Sequence, residues 1–227
     1  MKATLSIVAT PIGNMEDITL RAIRTLSEAD IVLCEDTRVT KHLLDRHGVS
    51  TGMMRYDAHS TPAQLARIIE LLADDKRVAL VSDAGTPGIS DPGTHLVAKV
   101  REHFGDEVTI ETIPGPSALT AVLSISGMSL SEFTFLGFLP QKKGRQTLFN
   151  DIAESERAVV LYESPHRIIK TLETFRDLMP ERCIGIGREL TKIHEEYVSG
   201  TAEELLVYFT EHPDHVRGEF VVVVEGC

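Results

Sequence analysis

Short apolar runs alternate with amphipathic stretches from the start of the chain. Leu5 to Ala9 is an apolar run that ends at Pro11 and Gly13, and a helix follows near Asp17 with Leu20, Ile23 and Leu26 along one side. Ile31 to Cys34 predicts a second strand, ending in Glu35-Asp36-Thr37-Arg38. The next helix carries Leu43 and Leu44 and stops at Gly48, a residue type favoured just past a helix end. Thr61-Pro62 reads as an N-cap followed by proline in the first turn. Behind it Leu65, Ile68, Ile69 and Leu72 fall at i, i+3, i+4 and i+7, the spacing of an amphipathic helix. Val78 to Val81 predicts a strand, Leu96, Val100 and Phe104 a helix, Val108 to Ile113 a strand, and Ala118 to Ile125 a helix. Short apolar strands separated by helices predict βα units, right-handed crossovers and a largely parallel sheet.

The pattern loosens around Ser124 to Ser129, which divides the chain into an N-terminal α/β domain, residues 1–125, and a C-terminal mixed α/β domain, residues 126–227. Phe133 to Leu139, Ala158 to Tyr162, Cys183 to Gly187, Glu196 to Ser199 and Phe220 to Val224 read as strands. A helix with Ile168, Leu172 and Phe175 follows the second of them, and Ala202 to Phe209 forms another. Strands that follow one another without a helix between them predict a mixed sheet with antiparallel members.

Where the strand Val78 to Val81 ends, the chain runs Ser-Asp-Ala-Gly-Thr-Pro-Gly-Ile-Ser-Asp-Pro-Gly from Ser82 to Gly93. A strand-to-helix connection ordinarily needs only about 2–6 residues. Three glycines (Gly85, Gly88, Gly93) allow close backbone approach or positive φ, while Pro87 and Pro92 stiffen the path. Ligands of open α/β sheets bind outside the carboxyl ends of the strands, where this segment emerges, so it reads as a ligand loop; a long surface turn is the plainer alternative. Asp91, within it, either touches substrate or braces the loop.

Two further loops share that edge. Thr10-Pro11-Ile12-Gly13-Asn14 stands where a dinucleotide fingerprint would, but G-x-G-x-x-G is absent, as is a Gly-Lys-Ser/Thr phosphate cradle. Pro11 removes a backbone donor, which suits a cofactor held by backbone and apolar contacts with little phosphate. Pro114-Gly115-Pro116-Ser117 leads into a helix, where Ser117 offers a hydroxyl and N–H groups to a carboxylate or ribose, or serves as an ordinary cap. Glu35-Asp36-Thr37-Arg38 supplies paired acids beside an arginine. They act as proton acceptor and substrate clamp, or as helix caps with a surface ion pair.

The 227 residues are 42% hydrophobic and 25% charged, ordinary for a globular protein, and carry a formal net charge of -11. That balance excludes a general polyanion binder, yet leaves local basic clusters at Lys142, Lys143 and Arg145, at His166, Arg167 and Lys170, and at Arg188, Lys192 and His194. No run approaches the roughly 18 apolar residues of a membrane span, and no signal-peptide pattern precedes Thr4. Cys34, Cys183 and Cys227 are too few and scattered for a disulfide framework, which makes the cytoplasm the expected location. Around His194 the H-E-x-x-H pattern fails because Val198 occupies the second histidine position, and His212 and His215 read as solvated. No metal is expected.

Thr10 to Asn14, Glu35 to Arg38 and the Ser82–Gly93 loop together resemble the tetrapyrrole-methylase superfamily, the class III S-adenosylmethionine-dependent methyltransferases. Ile-Pro-Gly-Pro-Ser-Ala at Ile113, Gly-Phe-Leu-Pro at Gly137, Tyr-Glu-Ser-Pro-His-Arg at Tyr162, Arg-Glu-Leu-Thr-Lys at Arg188 and Gly-Glu-Phe at Gly218 extend the resemblance over nearly the whole chain, towards the branch that methylates small-subunit ribosomal RNA. The resemblance implies S-adenosyl-L-methionine as donor, 2′-O-methylation of a cytidine ribose, and a homodimer of two α/β domains with the cofactor folded between them. By motif position, Pro11, Asp83, Ala84, Gly85, Ile89, Ser117 and Ala118 would line the cofactor from the first domain, and Tyr162, Glu163, Leu190 and Thr191 from the second. Glu35, Asp36 and Lys192 are candidates for activating the hydroxyl or steadying its developing charge, the lysine as a base only if its pKa is lowered. Arg38, Lys142 and Arg167 would hold phosphates, and a 2′-OH requirement would select RNA. The same fold also implies two alternatives: methylation of a tetrapyrrole or a protein side chain, or non-catalytic RNA or nucleotide binding.

Overall fold

The computed structural model describes residues 2–90, 93–128 and 131–227. Asp91, Pro92 and Ser129 thus lie outside the described residues. Two compact units make up the chain, Met1–Ser117 and Ala118–Cys227.

The first unit is a five-stranded sheet of β1 (Thr4–Val8), β2 (Ile31–Cys34), β3 (Met53–Arg55), β4 (Arg77–Leu80) and β5 (Thr109–Ile113), in the order β3-β2-β4-β1-β5. Every neighbouring pair is parallel. The strand order fixes where the helices go. From β1 the chain steps one way along the sheet to β2 and β3, through α1 (Leu20–Glu28) and α2 (Thr37–Arg46). It then turns back to β4 and β5, through α3 (Pro62–Ala73) and α4 (Gly93–Phe104). Because crossovers are right-handed, reversing direction moves the helices to the other face. The cores show it. Ala22, Leu26 and Leu44 pack on Val8, Val32, Cys34, Ala79 and Val81, while Ile68, Leu72, Leu96 and Val100 pack on Leu5, Leu33, Val78 and Leu80. Successive strand residues point to opposite faces, so near-continuous apolar runs are what a sheet covered on both sides requires.

Leu20 departs from its expected place. It is 86% exposed, and α1 buries Ala22, Thr25 and Leu26 instead. At about 100° per residue Leu20 lies about 200° around the helix from Ala22, so this stripe leaves it facing out. The helix α3 forms as its sequence demands, with a reciprocal Thr61–Gln64 capping box and Pro62 in the first turn.

The second unit holds β6 (Phe133–Phe138), β7 (Ala158–Glu163), β8 (Ile184–Arg188), β9 (Glu196–Gly200) and β10 (Phe220–Val224), in the order β6-β7-β10-β8-β9. Only the β6–β7 pair is parallel. The helices α6 (Arg145–Ala153), α7 (Ile168–Leu178) and α8 (Ala202–Glu211) cover one face through Phe149, Leu172, Phe175 and Phe209. The helix α5 (Ala118–Ile125) sets Val122 against Gly187 on the other face. In β6 the register slips between Phe135 and Gly137, a β-bulge in which Gly137 takes φ of +60°.

Candidate active site

In a parallel sheet all carboxyl ends lie along one edge, so the loops after β1, β2, β4 and β5 emerge side by side. Hydrogen bonds join them. Thr10 and Gly85 exchange backbone bonds of 2.9 and 3.1 Å, an isolated antiparallel bridge between the loops after β1 and β4. The buried Thr10 hydroxyl donates to the Ser82 carbonyl at 3.1 Å. Thr86 Oγ1 donates to the Pro116 carbonyl at 3.1 Å, joining the loop after β5. The Asp36 N–H donates to Asp83 Oδ1 at 3.0 Å, joining the loop after β2. Gly85 has φ of +80°, which an L side chain rarely adopts, and a Cβ there would meet Ile12 Cγ2 at 3.4 Å.

Among the residues expected to line a cofactor here, Pro11 and Gly85 are buried in the floor, Ser117 and Ala118 are half-buried, and Asp83, Ala84 and Ile89 are exposed. The described parts of these four loops carry one cation, Arg38, and its guanidinium is bound to Asp36. A pyrophosphate would lack counter-charges on such a wall. A sulfonium nucleoside without phosphate fits it.

Asp36 caps α2, accepting from the Arg38 N–H at 2.8 Å, and its carboxylate also chelates the Arg38 guanidinium. Bonds from the Arg38 side chain and backbone hold Asp36 far below the usual carboxylate range. It therefore stays ionised and is a poor proton acceptor. The Arg38 side chain, 89% exposed, is shared with this carboxylate rather than reserved for a phosphate. Glu35 is half-buried beside them.

In the second unit Glu163 and Arg167 belong to one buried cluster. Glu163 Oε1 forms an ion pair with Arg167 Nε at 2.7 Å and accepts from the Ser164 N–H at 2.9 Å. Its Oε2 accepts from Thr171 Oγ1 at 2.8 Å and from Arg145 at 3.1 Å. Both arginines also reach the chain that leaves β6: Arg145 donates to the Pro140 carbonyl at 3.2 Å and Arg167 to that of Leu139 at 2.9 Å. The Tyr162 ring packs edge-on against Phe135, and Lys142 lies exposed in the loop these arginines anchor.

Leu190 is buried between two residues with left-handed backbone, Glu189 at φ +48° and Thr191 at φ +66°. Lys192 Nζ donates to Glu189 Oε1 at 2.8 Å and to Glu219 Oε2 at 3.0 Å. Burial alone would lower the Lys192 pKa, but bonds to these two carboxylates raise it above the ordinary value. An ammonium so held has no lone pair to take a proton, and it serves as a fixed positive charge. Nearby, Glu196 gathers Arg188, Tyr208 and His215. Burial and the bond to Glu196 push the Tyr208 phenol up to about 12. His215, read as solvated, is thus a hydrogen-bonded member of this network. Among the described residues no cluster of three or more His, Cys, Asp or Glu could hold a metal ion, and no helix is long and apolar enough to cross a membrane.

Thr10, Arg145 and Thr171 are the structural residues that the sequence reading did not single out. Thr10 stood inside a quoted loop and Arg145 inside a basic cluster, whereas nothing marked Thr171.

The family model for tetrapyrrole (corrin/porphyrin) methylases matches residues 4–206. The chain is 40% identical over 222 residues to a ribosomal RNA small subunit methyltransferase I of Thermotoga maritima, covering 98% of each. A protein of the same name from Halalkalibacterium halodurans is 42% identical over 226 residues, 99% of this chain and 76% of that one. Among solved structures, a cobalt precorrin-4 methyltransferase superposes with a TM-score of 0.70 at 16% identity, covering 98% of this chain and 95% of the other. A Thermus thermophilus uroporphyrin-III C-methyltransferase complexed with S-adenosylhomocysteine gives 0.64 at 19%, with 98% and 97% coverage. These two likenesses establish the fold.

Proposed function

The chain belongs to the tetrapyrrole methylase family, and from that premise we propose that it transfers a methyl group from S-adenosylmethionine to the 2′-oxygen of a cytidine in small-subunit ribosomal RNA. The carrying observation is the end-to-end identity with the Thermotoga maritima protein, far above that with the tetrapyrrole methyltransferases of the same fold. When bound, the cofactor would supply an electrophilic sulfonium methyl, which the ribose oxygen would take as the methyl–sulfur bond breaks, leaving S-adenosylhomocysteine and the hydroxyl proton to be removed. The chain's part is alignment and charge.

The Thr10–Gly85 bridge and the Thr86–Pro116 bond present Pro11, Asp83, Ala84, Gly85, Ile89, Ser117 and Ala118 as the cofactor wall. Leu190 and Thr191 contribute from the second unit, with Tyr162. Of the three candidates for handling the hydroxyl proton, Asp36 is held ionised by Arg38 and Lys192 is held protonated by two carboxylates. We assign proton acceptance to Glu35, the half-buried carboxylate that follows β2, and Lys192 steadies developing negative charge on the oxygen. Glu163 acts as the anchor of Arg145 and Arg167 rather than as a cofactor ligand. Lys142 meets RNA phosphates, Arg38 steadies Asp36 rather than a phosphate, and the working species is a cytoplasmic homodimer.

The test supplies labelled S-adenosylmethionine to free small-subunit ribosomal RNA and to assembled subunits, then digests the RNA to nucleosides. Label recovered as 2′-O-methylcytidine is the expected result. Label on a base, or only on an added tetrapyrrole, overturns it.

A further inference from the structure

The bulge in β6 has an effect on side-chain direction. Residues three apart in a regular strand point to opposite faces, yet Phe135 pairs with Val160 and Phe138 with Tyr162, two positions on one face of β7. The extra residue at the bulge thus turns Phe135 and Phe138 to the same side. Tyr162 lies between them, with ring centroids 5.0 Å from Phe135 and 5.4 Å from Phe138. Phe138, on the edge strand, is 57% exposed. Four and five residues further on are Lys142 and Lys143, both exposed and without a salt bridge to any described residue. No carboxylate occurs in the sequence between Glu132 and Asp151, in a chain whose formal net charge is -11.

Resting on the function proposed above, we propose that Phe138, backed by Tyr162 and Phe135, is a stacking platform for an unpaired base of the RNA substrate, whose neighbouring phosphates lie on Lys142 and Lys143. Aromatic rings beside a cationic track are the chemistry that holds single-stranded nucleic acid, because every base has a π-face and every linkage a charge. The adenosyl cofactor has a base but no phosphate, so it leaves the lysines unused. A second copy of the chain, meeting this patch about a two-fold axis, would set the same lysines against each other. The arginine bonds to Leu139 and Pro140 hold the lysine loop before RNA arrives, which lowers the cost of ordering it on binding.

The experiment measures affinity of the full chain for free small-subunit ribosomal RNA, and for S-adenosylmethionine in parallel, with sedimentation to follow oligomeric state. Phe138→Ala should weaken RNA binding by about 5- to 100-fold, the range for losing one stacked base, with cofactor affinity and sedimentation unchanged, and Phe138→Tyr should restore it. Lys142→Gln with Lys143→Gln should reduce the salt dependence of binding, log K against log salt, by about 1.4. RNA affinity of Phe138→Ala within twofold of wild type overturns the proposal. So does a parallel loss of cofactor affinity, or loss of RNA binding that follows dissociation of a dimer. A wild-type chain that binds and methylates no ribosomal RNA overturns the functional reading itself, and this platform with it.

Discussion

Glu163→Gln separates an anchoring carboxylate from a cofactor ligand. Glu163 is 1% exposed, accepts three hydrogen bonds and forms an ion pair with Arg167 through Oε1. Glutamine preserves the shape and one acceptor oxygen. Its NH₂ then confronts two donors, either Arg145 with Thr171 or Arg167 with the Ser164 N–H, and the negative charge between two guanidiniums is gone. Breaking a buried ion pair by removing one partner costs about 3–5 kcal/mol. Here the side chains of Arg145 and Arg167 keep 16% and 23% exposure, so water compensates in part and the loss should be about 2–4 kcal/mol. Thr171→Val keeps both ion pairs and removes the hydroxyl that donates to Glu163 and accepts from Arg145, which should cost about 1.5–3 kcal/mol. Urea unfolding gives both numbers as shifts of the midpoint at constant slope, and calorimetric titration gives cofactor affinity. A Glu163→Gln protein within about 0.5 kcal/mol of wild type that has lost cofactor affinity would refute the anchoring role.

Gly218→Ala should destabilise the second unit by about 1–3 kcal/mol, because φ is +83° and the new Cβ would collide with the Glu189 carboxyl; Gly127→Ala, at φ +66° in open space, should cost less, and equal midpoints for the two would sink the steric argument. Thr10→Val removes the buried hydroxyl bond to Ser82, with an expected loss of about 1 kcal/mol in thermal unfolding and weaker cofactor binding. Binding left at the wild-type level would show that this hydroxyl bond does not shape the wall. Burial pushes the carboxyls of Glu189 and Glu196 up, but Lys192 and the Glu219 N–H at the first, and Tyr208 and Arg188 at the second, bring both below 4.5. Their stabilisation is complete above that value and is lost as pH falls through the lowered pKa, while that of Lys192 is complete below 10.5 and lost as pH rises through the raised one. Burial also pushes the thiols of Cys34 and Cys183 up from 9.0, so stability should be flat between about pH 5 and 9 and fall on both sides, and a profile flat at the acid end would contradict these contacts.

What could be read in advance followed from chain-local physics. Val78 to Val81 and Phe220 to Val224 announce strands because a sheet covered on both faces needs unbroken apolar runs. The Thr61–Gln64 box and the i, i+3, i+4, i+7 stripe announce α3. The strand β3 escaped notice because Met53–Arg55 is three residues long with no buried member, and α6 because it buries only Phe149 and Ile152. Leu20 was misplaced because apolar character alone does not set the phase of a helix. At the site, glycine and proline advertised the loops, since backbone geometry is written in those residues. The state of the acids was not legible. Glu163 is committed by Arg145 and Thr171, which lie 18 residues before it and 8 after it and meet it only on folding, and Lys192 is held charged by Glu219, 27 residues away.

The Thr10–Gly85 bridge makes two loops a single mechanical body. Neither tip can swing without breaking two main-chain hydrogen bonds, and the Thr86 and Asp83 bonds extend the same restraint to their neighbours. The wall of the first unit is therefore shaped during folding, independently of any ligand. The conformational entropy of the residues so joined is therefore lost on folding, before any ligand is met. Amide protons of Thr10 and Gly85 should accordingly exchange as slowly as those of the strands in the protein without ligand, and gain little protection when the cofactor is added.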